Sequence, residues 1–192
     1  MKTSVYPKPV KSAFTLIELL IVLTIIAVLA GLGLAAYGIA LEKARALKAK
    51  SAIAGLLIAI KGYQTEYNRY PISTGKTSDV TINTAEAEGI AFLKSLLAND
   101  AIDNPKRSKF YEVPGLAKNG INGYDAATGA LFDPWGNGYE IVIDYDQDGK
   151  VKTPYPVSDG APEIPMGTII YSAGRNRTID DGPTKTDDLK SW

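Results

Sequence analysis

A long uncharged segment near the N-terminus constrains this chain more than any other feature of its 192 residues. No charged residue occurs from Leu19 to Leu41, a run of 23 residues. At 1.5 Å per residue, about 20 apolar residues are enough to cross the hydrocarbon layer of a membrane. The segment therefore predicts a membrane-spanning helix.

An ordinary secretory signal is the first alternative, because Lys2, Lys8 and Lys11 form a basic leader before the apolar segment. The apolar region of such a signal is shorter, about 7–15 residues, and its small-residue cleavage site follows it. In this chain the small residues Ser12 and Ala13 precede the apolar segment instead. This order argues against an ordinary secretory signal.

One carboxylate lies at the start of the apolar segment. Glu18 would be costly to carry deep into lipid, because the hydrocarbon layer solvates a charge poorly. It either lies at the level of the lipid headgroups, where the cost is small, or it is paired with a cation. The residues alone leave both interpretations open.

The sequence KSAFTLIELLIVLTIIAVLA, residues 11–30, resembles the leader and first helix of type IV pilins and pseudopilins. The resemblance implies that a prepilin peptidase cuts between Ala13 and Phe14, which makes residues 1–13 a leader peptide. It implies that Phe14 is then N-methylated. It also implies that Glu18 neutralises the Phe14 ammonium of a neighbouring copy during filament assembly, since buried charges are tolerated only in pairs. Ala13 is a departure, because most family members have Gly there.

A one-sided stripe predicts that the helix continues beyond the membrane. Its members follow alternating steps of three and four residues, the spacing of one helix face. No proline occurs between Phe14 and Tyr70, so we expect one helix of over 50 residues. Residues 14–41 would form its transmembrane and filament-core half, and residues 42–71 its periplasmic half. The stripe consists of Ala46, Ala49, Ile53, Leu56, Ile60, Tyr63 and Tyr67.

Residues 72–130 are predicted to form a variable region that contains a loop and a short helix. Its first part, 72–84, is polar and rich in turn residues and is expected to be a loop. Thr84 is expected to cap a helix over 85–98, in which apolar residues recur at helical spacing.

Residues 131–192 are expected to form the sheet. Apolar and polar residues alternate over 139–145, as in a strand, and 168–172 is a second strand candidate. The predicted fold class is therefore α+β and pilin-like. A long N-terminal helix, first membrane-spanning and then amphipathic, would pack on a small antiparallel β-sheet.

The segment LFDPWGNGYEI, residues 131–141, resembles a motif of the major pseudopilin of type II secretion. Asp133 and Pro134 predict a turn, and Trp135 is expected to be buried against the long helix. These residue types suit a turn and a core better than chemistry. The motif therefore indicates a branch of the family rather than an active site.

A second motif has the form D-x-D-x-D-G, the opening of a calcium-binding loop. A full loop needs a carboxylate at its twelfth position, where this chain has Tyr155. Because Asp-Gly is also a strong turn signal, a hairpin between the flanking strands is an equally good interpretation. The motif consists of Asp144, Asp146, Asp148 and Gly149.

The C-terminal segment, residues 171–192, resembles the pseudopilin C-terminus, in which a loop and a closing Trp surround a calcium ion. The resemblance implies two adjacent carboxylates, one amide that replaces the usual Asp, and two backbone carbonyls as ligands, all oxygen donors that suit Ca²⁺. A solvated acidic tail is the alternative, and Asp180 and Asp181 could compete for the ion. The implied ligands are Ala173, Asn176, Thr178, Asp187 and Asp188.

The resemblance implies a structural function, that of the major pseudopilin whose polymer drives export of folded proteins across the outer membrane. It implies a single-pass inner-membrane protein with its C-terminal domain in the periplasm. The implied partners are the prepilin peptidase, copies of the chain itself, minor pseudopilins and an inner-membrane assembly platform.

A type IV pilin for adhesion, motility or DNA uptake is the alternative function. A C-terminal disulfide would favour the pilus, and this chain has no Cys. We expect no enzyme, because there is no His, no Cys and no G-x-S-x-G motif. The net charge of zero gives no reason to expect a nucleic-acid partner.

Overall fold

The computed structural model describes residues 14–155, 163–179 and 187–192, and the backbone alone at 32–36. The predicted leader with Ala13, and the acidic pair Asp180 and Asp181, lie outside the described residues. The chain divides between Glu42 and Lys43 into two compact units. One helix contributes residues to both units.

That helix, α1, covers Leu16–Tyr67 and has 52 residues. The residues that follow Tyr67 explain why the helix ends there. Asn68 adopts a left-handed conformation with φ of 51°, as residues that end helices commonly do, and Pro71 cannot continue a helix. The single long helix expected from the sequence is therefore confirmed.

The N-terminal unit has no apolar core of its own within the described residues. Large apolar side chains are exposed along α1, from Leu16 at 83% to Leu29 at 63% of their surface. No helix in the described part of the chain is long and apolar enough to cross a membrane. The span expected over 14–41 stays a prediction.

The elements after α1 are β1 Val80–Asn83, α2 Ala87–Leu96, β2 Gly123–Tyr124, β3 Leu131–Phe132, β4 Glu140–Ile143, β5 Val151–Lys152, β6 Glu163–Ile164, β7 Thr168–Ser172 and β8 Leu189–Lys190. Four of these strands form an antiparallel sheet in the C-terminal unit, in the order β1–β4–β7–β8. Two small strand pairs, β2–β3 and β5–β6, accompany it.

The sheet has a buried cluster on each face, because successive side chains of a strand point to opposite sides. On one face Ile141, Ile143 and Ile170 pack in the main core with the α1 stripe and α2. On the other face Val142 and Ile169 belong to a smaller cluster with the β5 region. The packing of the long helix on a small antiparallel sheet confirms the predicted α+β fold.

Two local expectations were wrong. The predicted loop 72–84 contains β1, a strand whose hydrogen bonds come from β4, 57 or more residues later in the chain. Thr84 does not cap α2; it is fully buried, its hydroxyl donates to Leu131 O at 2.7 Å, and it accepts from Tyr139 N at 2.7 Å. Two long-range backbone partners satisfy this hydroxyl in place of the helix terminus.

Candidate functional site

The first turn of α1 is closed by a reciprocal pair of side chains. The Glu18 carboxylate accepts from Thr15 N at 2.8 Å and from Thr15 Oγ1 at 2.6 Å, while Glu18 N donates to Thr15 Oγ1 at 3.3 Å. This is a capping box, which satisfies backbone N–H groups that a helix start leaves without partners. Both residues are exposed, so Glu18 remains accessible to a group outside the chain.

An apolar surface surrounds this carboxylate. Phe14 is 76% exposed and Ile17 is 67% exposed, and the exposed apolar side chains continue through the next four turns. A helix that is apolar on all sides is normally covered by lipid or by other helices. The first turns of α1 therefore carry the surface expected of a filament or membrane helix, with a single carboxylate at its edge.

The predicted calcium ligands come from two segments that the fold brings together, the loop 173–178 and residues 187–188. We call this region the C-terminal junction. Asp187 Oδ2 accepts from Asn176 N at 2.8 Å, and Asn176 Oδ1 accepts from Thr178 N at 2.8 Å. A side chain at Gly174 would lie 2.3 Å from the carbonyl oxygen of Asp187, so only glycine allows this approach.

The residues of the C-terminal junction fit a hard cation by their chemistry. Asp187 and Asp188 offer carboxylates, Asn176 offers an amide oxygen, and Ala173 and Thr178 offer carbonyls, which are the ligand types that Ca²⁺ takes. The Asp187 and Asn176 oxygens accept backbone N–H groups from within the junction. An ion would have to share them or replace these bonds.

Aromatic residues hold the end of the chain beside the junction. The Trp192 ring packs edgewise on Tyr155 and Tyr171, with ring centroids 5.7 and 6.3 Å apart. Lys190 Nζ lies 3.3 Å from the centroid of the Tyr155 ring, a favourable position for a cation over an aromatic face.

The DPWG turn is joined to the junction through a buried carboxylate. Asp133 is fully buried and accepts four hydrogen bonds, from Trp135 N, Asn137 N, Asn137 Nδ2 and Ser172 Oγ, at 2.6–2.9 Å. Asn137 Nδ2 also donates to Gly174 O at 2.7 Å. Sequence reasoning found the turn but missed that Asp133 positions the loop of the junction.

Trp135 itself is half-buried and packs against the main core, which contains the α1 stripe. Its carbonyl accepts from the Arg177 guanidinium at 2.8 Å. The DPWG motif thus acts as the turn and core element that the residue types predicted, with added contacts to the junction.

The D-x-D-x-D-G loop does not form a hairpin, because β5 pairs with β6 and not with β4. Carboxylate oxygens of Asp144 and Asp146 instead gather with one from Asp79, all within 4.8 Å of one another. We call these three residues the acidic cluster. Asp148 is not part of it; its carboxylate accepts from Lys150 N at 2.8 Å.

The acidic cluster is electrostatically unfavourable. Burial raises the pKa of the Asp79 carboxyl, and the charges of Asp146 and Asp148 raise it further. Burial likewise raises the pKa of Asp144, against the lowering effect of the Gly149 N–H that it accepts. Sequence reasoning missed Asp79, which lies 65 residues before Asp144 and carries no local motif.

Comparison with known families matches residues 8–34 to a family model described as the prokaryotic N-terminal methylation motif. Neither a curated protein nor a solved structure matches the chain. The matched segment includes the predicted cleavage position and the first turns of α1, so this part of the chain is similar to an N-terminal methylation motif.

Proposed function

We propose that this chain is the major pseudopilin of a type II secretion system, an inner-membrane protein that polymerises into a periplasmic pseudopilus and drives export of folded proteins. The observation that supports it best is the start of α1, where an accessible carboxylate lies at the edge of an exposed apolar surface. A surface of this kind is stable when lipid or other subunits cover it.

Assembly would follow from the charges at this start. Cleavage between Ala13 and Phe14 creates an ammonium group at Phe14, which is then methylated. In an apolar filament core this cation needs a carboxylate partner. Glu18 of a neighbouring subunit would exchange its hydrogen bonds with Thr15 for the Phe14 ammonium, so each added subunit would neutralise one charge and present another.

The C-terminal junction supports the secretion branch of the family. The chain has no Cys, so no disulfide holds its C-terminus, and β8, Asp187 and the Trp192 ring hold it instead. We propose that Ca²⁺ binds the junction through Ala173, Asn176, Thr178, Asp187 and Asp188. Bound there, the ion would supply further links between the loop and the C-terminal strand.

A type IV pilin for adhesion, motility or DNA uptake is the second candidate, because the methylation motif is common to pilins and pseudopilins. Minor pseudopilins and an inner-membrane assembly platform would be partners in the first case, and pilus components in the second. The two candidate functions differ in which process a bacterium loses when it lacks the chain: protein secretion in the first case, and adhesion, motility or DNA uptake in the second.

In the experiment, the gene is replaced in its own bacterium by a copy that encodes Glu18→Ala. A copy that encodes Glu66→Ala is the control, because Glu66 is an exposed carboxylate further along α1. We expect Glu18→Ala to leave membrane-bound monomer at the wild-type level and to lose most filaments, measured by shearing and immunoblotting. Proteins missing from the medium would support secretion; normal secretion with lost twitching or DNA uptake would favour the pilus. Normal filament yield in Glu18→Ala would contradict the charge pairing.

A further inference from the structure

A row of polar residues crosses the sheet near one end. The strand registers place Asn83 opposite Glu140, Glu140 opposite Tyr171, and Tyr171 opposite Lys190. Residues that lie directly opposite in antiparallel strands carry their side chains on the same face. Val142, two residues after Glu140, belongs to the smaller cluster, so this face is the one opposite the α1 stripe. We call Asn83, Glu140 and Tyr171 the polar row.

The polar row lines a cavity of about 480 Å³. Asn137 and the loop residues Arg177 and Ile179 form other parts of its wall, and every lining residue belongs to the C-terminal unit. The volume falls in the range of about 300–1,000 Å³ that is usual for small-ligand sites. The cavity is therefore large enough for a side chain with its adjoining backbone.

Two oxygen atoms of the polar row are available to a ligand. Glu140 Oε1 accepts from Asn83 Nδ2 at 2.7 Å, while no described residue donates to Glu140 Oε2. Tyr171 is only 3% exposed, yet its hydroxyl makes no hydrogen bond with any residue that the structure describes. Polar atoms of buried side chains normally have a partner. The Tyr171 hydroxyl is an exception, and Tyr171 lines the cavity.

The charge of Glu140 is not balanced by a basic side chain, since no ion pair between described residues involves it. Burial raises the pKa of its carboxyl, because the charged form is poorly solvated there. The cations around it have other contacts. Arg177 Nη2 donates to Trp135 O at 2.8 Å, and Lys190 Nζ lies 3.3 Å from the centroid of the Tyr155 ring.

We propose that this cavity binds an alkylammonium group, of the kind that a lysine side chain of a protein or peptide segment carries. An ammonium has three N–H donors and one positive charge. Because directly opposite residues have Cβ atoms about 4.5–5.5 Å apart, one ammonium can donate to both Glu140 Oε2 and the Tyr171 hydroxyl. It would also neutralise the carboxylate. An apolar ligand would leave both oxygens without a donor, which is costly in a buried site.

The cavity shares part of its wall with the C-terminal junction, since Ala173 and Thr178 line it. Calcium bound at the junction would therefore also hold that wall in place. The two acceptor oxygens belong to β4 and β7, so the cavity itself does not require the ion. A ligand on this face and the partners of the α1 stripe contact different surfaces of the C-terminal unit.

The test is a binding titration on the full chain in an uncharged detergent, with Nα-acetyl-lysine amide as the probe. Saturation-transfer NMR measures binding, after subtraction of the signal from protein-free micelles. A matched probe carries a hydroxyl in place of the ammonium. We expect the wild type to bind the lysine probe about tenfold more tightly than the hydroxyl probe, because hydrogen bonds between charged groups are the stronger ones.

Two glutamate variants locate the binding. Glu140→Gln keeps an oxygen that accepts from Asn83 and is expected to fold, but it should weaken binding of the lysine probe about tenfold. Glu112→Gln changes an exposed carboxylate that pairs with Lys109, and it should bind the probe as the wild type does. An unchanged affinity in Glu140→Gln would overturn the site.

Tyr171→Phe tests the second acceptor. It should weaken binding of the lysine probe about threefold without lowering the melting temperature, because the hydroxyl bonds to no described residue. Butylammonium separates the possible sources of the ligand: weaker binding than the lysine probe would identify a lysine on a peptide, and equal binding a free alkylamine. No binding of the lysine probe to the wild type, or equal binding of the hydroxyl probe, would contradict the proposal.

Discussion

The two halves of α1 share one helical geometry and differ in where their apolar surface is covered. In the first half, described side chains such as Leu16 and Leu29 are exposed on every side. In the second half a stripe that includes Leu56 and Ile60 is buried, while other side chains of the same half, such as Ile58, are exposed. The second half finds its partners within the chain, in the sheet and α2. We expect the first half to find its partners in lipid or in other copies of the chain.

The largest effect on stability is therefore expected in the second half. Leu56 is fully buried, whereas Ile58, two residues away on the same helix, is 71% exposed. Leu56→Ala should lower the free energy of unfolding of the C-terminal unit by about 2–5 kcal/mol, because it removes buried methyl groups and leaves a cavity. Ile58→Ala should change it by less than about 0.5 kcal/mol, as for most surface substitutions.

Thermal unfolding of the full chain in detergent, followed by near-ultraviolet circular dichroism of the aromatic core, measures both changes. Together, Leu56→Ala and Ile58→Ala test whether the second half of α1 buries one face and leaves the other exposed. Equal losses in the two variants would mean that α1 does not present one face to the sheet, and the contrast between its halves would disappear.

A smaller effect is expected from the buried carboxylate that connects the DPWG turn to β7. Asp133→Asn keeps the shape but replaces one acceptor oxygen with a donor, which faces groups that already donate to Asp133. We expect a loss of about 1.5–3 kcal/mol, the range for hydrogen bonds to a charged group. Asp125→Asn, in a surface turn with one backbone and one hydroxyl donor, should lose clearly less.

Chemical denaturation of both variants in chelator measures this difference without a contribution from bound calcium. A loss in Asp133→Asn no greater than in Asp125→Asn would show that the four donors are satisfied equally well by an amide. In that case the Asp133 network would not be what orders the loop of the C-terminal junction.

The parts of the fold that could be predicted from sequence are those specified by local periodicity. The α1 stripe and strand β7 each carry their own pattern of apolar residues, and both lie where that pattern placed them. Strand β1 has four residues, of which only Ile82 is buried. Its structure depends on hydrogen bonds from β4, and no local pattern contains that information.

The candidate sites show the same limit. The implied ligands Asn176 and Asp187 are adjacent in the structure, and a family resemblance was needed to relate them across a loop. Asp79 could not be related to Asp144 from the sequence, because their proximity follows from the register of Val80 with Ile143. The role of Asp133 was missed for the same reason, since its fourth donor, Ser172, comes from β7.

The smallest effect on stability is expected for the carboxylate of Glu140, the first residue of β4. Burial raises the pKa of Glu140 above its ordinary value of 4.5, and the hydrogen bond from Asn83 Nδ2, at 2.7 Å, opposes this only in part. A raised pKa in the folded state means that the folded protein prefers the protonated form. The contribution of Glu140 to stability is therefore greatest below pH 4.5 and is lost as the pH rises through the raised value.

Glu140→Gln removes this titration and keeps an oxygen that accepts from Asn83. In chelator at pH 7 we expect the variant to melt about 1 °C above the wild type. In a protein of this length, a shift of that size corresponds to a fraction of a kcal/mol in the free energy of unfolding. Near pH 4 the two proteins should melt at closer temperatures, since Glu140 is then largely protonated in both states. Glu112→Gln, at a largely exposed carboxylate that pairs with Lys109, is the control and should show no such gain at pH 7. A gain of equal size at both pH values would mean that packing around the substituted side chain is responsible, and burial of the charge would not be the cause.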